Sequence, residues 1–310
     1  MKTLILLVGW LALVVHADRN FLLKEVLSIL PGDDALALKS AAFLIRYMPE
    51  NDVMRLNPDF ISRNIMLALQ AHREFEWNVS DRMFLNDVLP YASLTEPRDD
   101  WRRVFKPFMS GLVQHCGTNS KCAANELNQR AWHIVDPPIV FEAAPSNTLN
   151  SYGPFETMAR HNSSCTGMAL FLVDALRSIG IPARVAGTPH WKKGSIICPN
   201  GDADAECGNH NWVEAFLQGE WHFMDQGNSK IVDVGWFFPK DTDMQDNTFN
   251  HSIYSTSWAP SSEMSKYPNY ELFEISDFYP MVWEWTNHQV NGFNMLSWYH
   301  HNRKQIESIN

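Results

Sequence analysis

His210-Asn211-Trp212-Val213-Glu214-Ala215-Phe216-Leu217 is followed by Gln218-Gly219 and then by Glu220-Trp221-His222-Phe223-Met224-Asp225. The two flanking stretches alternate as strands do, and Gln-Gly between them is a turn signal, so the segment reads as a β-hairpin. With a two-residue loop, Leu217 faces Glu220 and Trp212 faces Asp225. His210 and Asp225 then share a face as diagonal neighbours, roughly 7–8 Å apart at the backbone, within side-chain reach. A one-residue slip would turn Asp225 to the other face. Glu214 shares the face and competes for the histidine. Asp225 is preferred, because Glu214 would have to reach back along its own strand.

About 45 residues upstream lies Ser163-Ser164-Cys165-Thr166-Gly167. Ser163 or Ser164 can cap a helix that places Cys165 in its first turn. Met168, Leu172, Ala175, Leu176 and Ile179 fall on one helical face, widened by Phe171 and Val173, and Gly180-Ile181-Pro182 ends the run. A helix apolar almost all round belongs in a core. A thiol at a helix N-terminus meets the positive end of the macrodipole, which favours the nucleophilic thiolate. The N–H groups of that turn can hold the oxyanion formed when a carbonyl is attacked. Cys165, His210 and Asp225 are therefore the candidate nucleophile, base and orienting acid.

The cysteine count supports an unpaired Cys165. The chain has five cysteines. Lys2, the apolar run Leu4–Val15 and Val15-His16-Ala17 make residues 1–17 a secretory signal peptide, too short for a membrane span. In an oxidising compartment, Cys116 with Cys122 and Cys198 with Cys207 read as local disulfides, leaving Cys165 over. A zinc site from Cys198, Cys207 and His190 or His210 is the alternative, but its spacing matches no familiar ligand pattern. Sequons at Asn78 and Asn250 are candidate glycan sites, while Asn162 lies too near Cys165 to carry one. The mature protein is expected to be extracellular, without a membrane anchor.

The chain of 310 residues is 45 % hydrophobic and 19 % charged, which suits a folded protein with a sizeable core. Its net charge of −10 argues against nucleic acid as a partner. Residues 18–130 read as helical. Asp33-Asp34 and Asn57-Pro58 mark two helix starts, and Arg98–Gln114 is a third candidate. Residues 131–235 carry the chemistry, and residues 236–310 are rich in aromatics but weak in periodicity.

Cys165 opening an apolar helix, Gly180-Ile181-Pro182-Ala183-Arg184-Val185, His210-Asn211-Trp212-Val213-Glu214 and Trp221-His222-Phe223-Met224-Asp225 together resemble the transglutaminase-like superfamily over roughly residues 155–230. Phe84–Tyr91 and Asp99–Arg102 also look like the region that precedes this domain in secreted members. The resemblance implies an α+β, papain-like core, a buried helix packed on an antiparallel sheet, preceded here by an N-terminal helical region. It further implies thiol chemistry on an amide carbonyl of a protein or peptide substrate through an acyl-enzyme, with no cofactor. Hydrolysis, cross-linking and deglycosylation of N-glycoproteins are all outcomes of that chemistry. A chain of this length lacks room for the β-domains and calcium sites of animal tissue transglutaminases. The acidic loops Asp202-Asp204-Glu206 and Asp241-Asp243-Asp246 fit no calcium pattern. Trp132 is a candidate oxyanion donor or a core residue, the latter preferred. A different class of function is a non-catalytic secreted binding protein that uses Trp258, Trp283, Trp285 and Trp298 as a contact surface; their burial would count against it.

Overall fold

A computed structural model describes residues 18–143, 153–192, 208–227, 231–281 and 289–307. The signal-peptide reading of residues 1–17, the Cys198–Cys207 disulfide and Trp283 and Trp285 lie outside these residues. No helix among the described residues is long and apolar enough to cross a membrane.

The N-terminal part is helical where the sequence places its start signals. Helix α1 spans residues 18–29. Helix α2 (Ala35–Tyr47) is capped by Asp34, whose Oδ1 accepts from the Ala37 N–H at 3.1 Å. After the short α3 (Glu50–Arg55), Asn57 caps α4 (Pro58–Phe75), with Pro58 in the first turn, where its missing N–H costs nothing. A short α5 (Asp81–Met83) runs into a π-helical turn, Phe84–Val88. The third helix expected from sequence is α6 (Arg102–Val113); residues 98–101 stay outside it, with Arg98 ion-paired to Asp52 at 2.9 Å, and its end passes into a 3₁₀ turn at Gln114–Cys116. Helix α7 (Ser120–Arg130) follows, capped by Asn119.

Strand β1 (Val140–Phe141) pairs in parallel with β2 (Asn162–Ser163), with helix α8 (Pro154–Arg160) between them in sequence. The chain then enters α9 (Cys165–Ser178), in which every residue from Thr166 to Ser178 is buried. Two buried arginines fasten its far end. Arg102 donates to the Arg177 carbonyl at 2.8 Å and to Asn64 at 2.7 Å. Arg177 donates to the Asp87 carbonyl at 3.0 Å and the Ala183 carbonyl at 2.9 Å. A helix end buried in a core needs such donors for its unpaired carbonyls. Gly180, at φ +80°, turns the chain out of the helix.

Strands β3 (Ala183–Thr188), β4 (His210–Leu217), β5 (Glu220–Met224), β6 (Tyr254–Ser257), β7 (Glu274–Ile275) and β8 (Asn291–Asn294) form a sheet in the order β5-β4-β3-β6-β8-β7, with every neighbouring pair antiparallel. The β4–β5 register is the one read from sequence, with Leu217 opposite Glu220 and Val213 opposite Met224. Gln218 and Gly219 both have positive φ, 53° and 96°, as a two-residue hairpin loop of this twist requires. Val213, Ala215 and Leu217 pack in the cluster built around α9. Trp212 and Phe216 point the other way, into a second apolar cluster with Phe223, Phe237 and Tyr299. The molecule is thus an α+β fold with a buried helix on an antiparallel sheet, as expected. Three sheet strands in the C-terminal part, β6 to β8, were not legible. They are two to four residues long, too short for alternation to register. Among the described residues the last helices are α10 (Lys240–Met244), α11 (Ser261–Met264) and α12 (Leu296–Glu307).

Glu214 does not serve His210. It sits opposite Arg184 in the β3–β4 ladder and forms an ion pair with it at 2.8 Å, both side chains fully buried. Ser255 and Tyr299 hydroxyls donate to its two oxygens at 2.7 and 2.8 Å. The Arg184 guanidinium lies 3.8 Å from the Trp221 ring centroid. Removing one partner of such a pair strands a buried charge, so Arg184→Met is expected to destabilise the protein by about 3–5 kcal/mol, and replacing both partners by apolar residues to recover most of it. Urea denaturation of the single and double variants measures this.

Candidate active site

Ser164 caps α9, its Oγ accepting from the Gly167 N–H at 3.5 Å, and this puts Cys165 in the first turn. Cys165 is half-buried and its thiol is unpaired. His210 opens β4, and its Nε2 lies 3.2 Å from Asp225 Oδ1. The same imidazole hydrogen-bonds the Cys165 sulfur. The three residues selected from sequence are therefore in one hydrogen-bonded line, sulfur to imidazole to carboxylate. Asp225 is buried at the end of β5, which continues the hairpin register by one residue past Met224.

Four further side chains fix this line. Gln226 donates to the Cys165 carbonyl at 2.9 Å and to the Asn211 carbonyl at 2.7 Å, tying the helix start to the histidine strand. The Asn211 N–H and the Thr166 side chain both hydrogen-bond the sulfur. Asn211 Nδ2 donates to Thr166 Oγ1 at 2.7 Å, and Tyr279 O–H donates to Asn211 Oδ1 at 2.6 Å. The chain of donors from Tyr279 through Asn211 and Thr166 ends on the sulfur. Gly187 makes room for it, since a Cβ there would lie 2.3 Å from Asn211 Oδ1 and 2.7 Å from the Tyr279 hydroxyl. Sequence reading missed all four. Thr166, Asn211 and Gln226 each directly follow a chosen residue, and that adjacency was the available signal. Tyr279 comes from a segment without periodicity and gave none.

Burial pushes the Cys165 thiol up, but the hydrogen bond and charge of His210, the Asn211 N–H and the Thr166 hydroxyl outweigh it, and the thiol titrates below its ordinary value. Burial lowers His210, yet hydrogen bonds to Asp225 and to Cys165 and the charges of both raise it to about 9. Each member of the pair favours the charged form of the other.

The other selected residues fall elsewhere. Trp132 is a core residue: its indole N–H donates to the Asn128 carbonyl at 2.7 Å and its ring stacks on Phe171. Cys116 and Cys122 form a disulfide. His222 pairs with Asp233 at 2.5 Å, apart from the Cys165 line. Asn78 is exposed, whereas Asn162 and Asn250 are half-buried.

A buried helix opening on an unpaired cysteine, packed on an antiparallel sheet that supplies a histidine and a carboxylate, is a cysteine-enzyme fold. Residues 117–226 match the family model of the Transglutaminase-like superfamily, and this stretch is a transglutaminase-like core. Cys165, His210, Asp225 and Gln226 lie within it and Tyr279 outside. No curated protein matches the chain. A solved structure from Cytophaga hutchinsonii, provisionally described as a cysteine protease, aligns at 13 % identity and a TM-score of 0.23, over 58 % of this chain and 45 % of that one. The chain thus spans less than half the length of that structure.

Alkylation of Cys165 by iodoacetamide should become half-maximal at a pH below the ~8.5 of free cysteine. In His210→Ala only burial and the weaker donors remain, and the half-point should move up. Mass spectrometry of the Cys165 peptide across pH reads both. A second expectation concerns packing: Gly187→Ala should cost about 1–3 kcal/mol through overpacking, measured as a lowered Tm.

Proposed function

We propose that the protein is a secreted cysteine enzyme that acts on peptide-like amides through a thioester formed on Cys165. The observation that carries this reading is the unpaired thiol in the first turn of α9, hydrogen-bonded to a histidine that is itself held by Asp225. The Cys165 thiolate attacks the amide carbonyl carbon, and the oxygen takes the negative charge against the N–H groups of the first turn of α9. As the C–N bond breaks, His210 gives its proton to the departing nitrogen, and a neutral amine leaves. Water or another amine then attacks the thioester, His210 accepts its proton, and the thiolate is released. Asp225 holds the imidazole in one orientation and stabilises its charged form throughout.

Secretion rests on residues 1–17, and peptide-like substrates rest on the kind of core. The alternative reading, a binding protein with an aromatic contact surface, has little support: Trp298 is buried and Trp258 packs against the apolar cluster.

Incubation with p-nitrophenyl acetate tests the reading without knowledge of the natural substrate. An acetyl group is expected on Cys165, with a burst of nitrophenol, and none with Cys165→Ala. Loss of the adduct on adding water alone or an amine separates hydrolysis from transfer. Absence of a Cys165 adduct in the folded protein would contradict the proposal. Cys165→Ala should leave the melting temperature nearly unchanged if the thiol is there for chemistry and not for packing.

A further inference from the structure

Three aromatic rings surround the His210 imidazole. Trp212 lies 5.7 Å away between centroids, Phe237 5.4 Å and Trp236 5.2 Å. Trp212 and Phe237 are fully buried and belong to the apolar cluster beneath the sheet. Trp236 is 56 % exposed. Its ring is nonetheless held, edge-on against Phe237 at 5.7 Å and against Trp191 at 5.6 Å, and Trp191 is itself buried and stacked on Trp212. A large apolar ring, fixed by buried neighbours and left open to solvent beside a reactive imidazole, is surface that a ligand would cover.

We propose that Trp236 is a substrate-binding residue that takes an aromatic or large apolar group on the amine side of the amide, so that the protein prefers amides whose nitrogen carries such a group. This inference rests on the reading of Cys165 and His210 given above. Its direction follows from the chemistry. The departing nitrogen must come within hydrogen-bonding distance of the imidazole that protonates it. Substituents on that nitrogen therefore extend past His210, and of the three rings against the imidazole Trp236 is the one open to solvent. The same ring would receive the incoming amine in acyl transfer. A neutral planar or branched apolar group suits the surface best, because the imidazolium beside it disfavours a second cation.

N-substituted iodoacetamides probe the subsite, since displacement of iodide at their methylene carbon leaves the N-substituent one carbon further from the sulfur than the amine part of a scissile amide. Second-order rates of Cys165 alkylation by N-benzyl-2-iodoacetamide and N-methyl-2-iodoacetamide would be measured, and their ratio divided by the ratio for glutathione. A stacked aromatic contact predicts a corrected ratio of about ten in the unaltered protein. Trp236→Ala should bring it near one, and Trp236→Phe should keep most of it. A corrected ratio of one in the unaltered protein, or a preference that persists in Trp236→Ala, would overturn the inference while leaving the thiol site intact. Failure of both reagents to label Cys165 without denaturant would instead remove the reading of the site, and this inference with it.

Discussion

The antiparallel register of β4 on β5 is the constraint on which the site depends. Side chains alternate with a period of two along a strand, so register decides which face each residue reaches. The two-residue loop at Gln218-Gly219 sets Leu217 opposite Glu220. From that one pairing Asp225 falls beside the start of β4, and His210 Nε2 meets its carboxylate at 3.2 Å. A three-residue loop would send the carboxylate to the opposite face and leave the imidazole without its anion. The positive φ at both loop positions is the local cost of this arrangement, slight at glycine and larger at Gln218.

The second requirement is that α9 present its first turn to the end of β4 without drifting. Its body is buried on all sides, so position along its axis is set by packing and by polar contacts at its two ends. Arg102 of α6 donates to the Arg177 carbonyl, and Arg177 donates to the carbonyls of Asp87 in the N-terminal helical part and Ala183 in β3, which holds the C-terminal end. Gln226 holds the N-terminal end, bridging the carbonyls of Cys165 and Asn211. The helical residues before the core thus do more than precede it: they supply the fixed wall against which the nucleophile is placed. The C-terminal part contributes in the same way, through Tyr279 on Asn211 and Tyr299 on Glu214.

Local signals explain what could be read from the sequence. Asp34, Asn57 and Ser164 are caps that act within a turn of themselves, and each marks a helix start in the structure. The β4–β5 hairpin is also local, and alternation plus a turn pair was enough to fix its register. Glu214 could not be resolved from residue order alone, because its partner Arg184 comes from the neighbouring strand 30 positions away. Tyr279, Asn211 and the short strands β6 to β8 depend on pairings between distant segments, for which a single sequence carries no period. Trp236 has the same character, since its meaning comes from standing next to His210.

Both the geometry and the electrostatics turn on the pairing of Cys165 with His210. The ring nitrogen of His210 should carry its second proton through the neutral range because the hydrogen bonds to Asp225 and Cys165 and the charges of both raise it, and should lose it only near pH 9. Imidazole ¹⁵N NMR of His210 as a function of pH measures this most directly. An imidazolium at pH 7 that titrates at about 9 in the folded protein is the expected result. A neutral ring at pH 7, titrating near the ~6.5 of an unperturbed histidine, would contradict it.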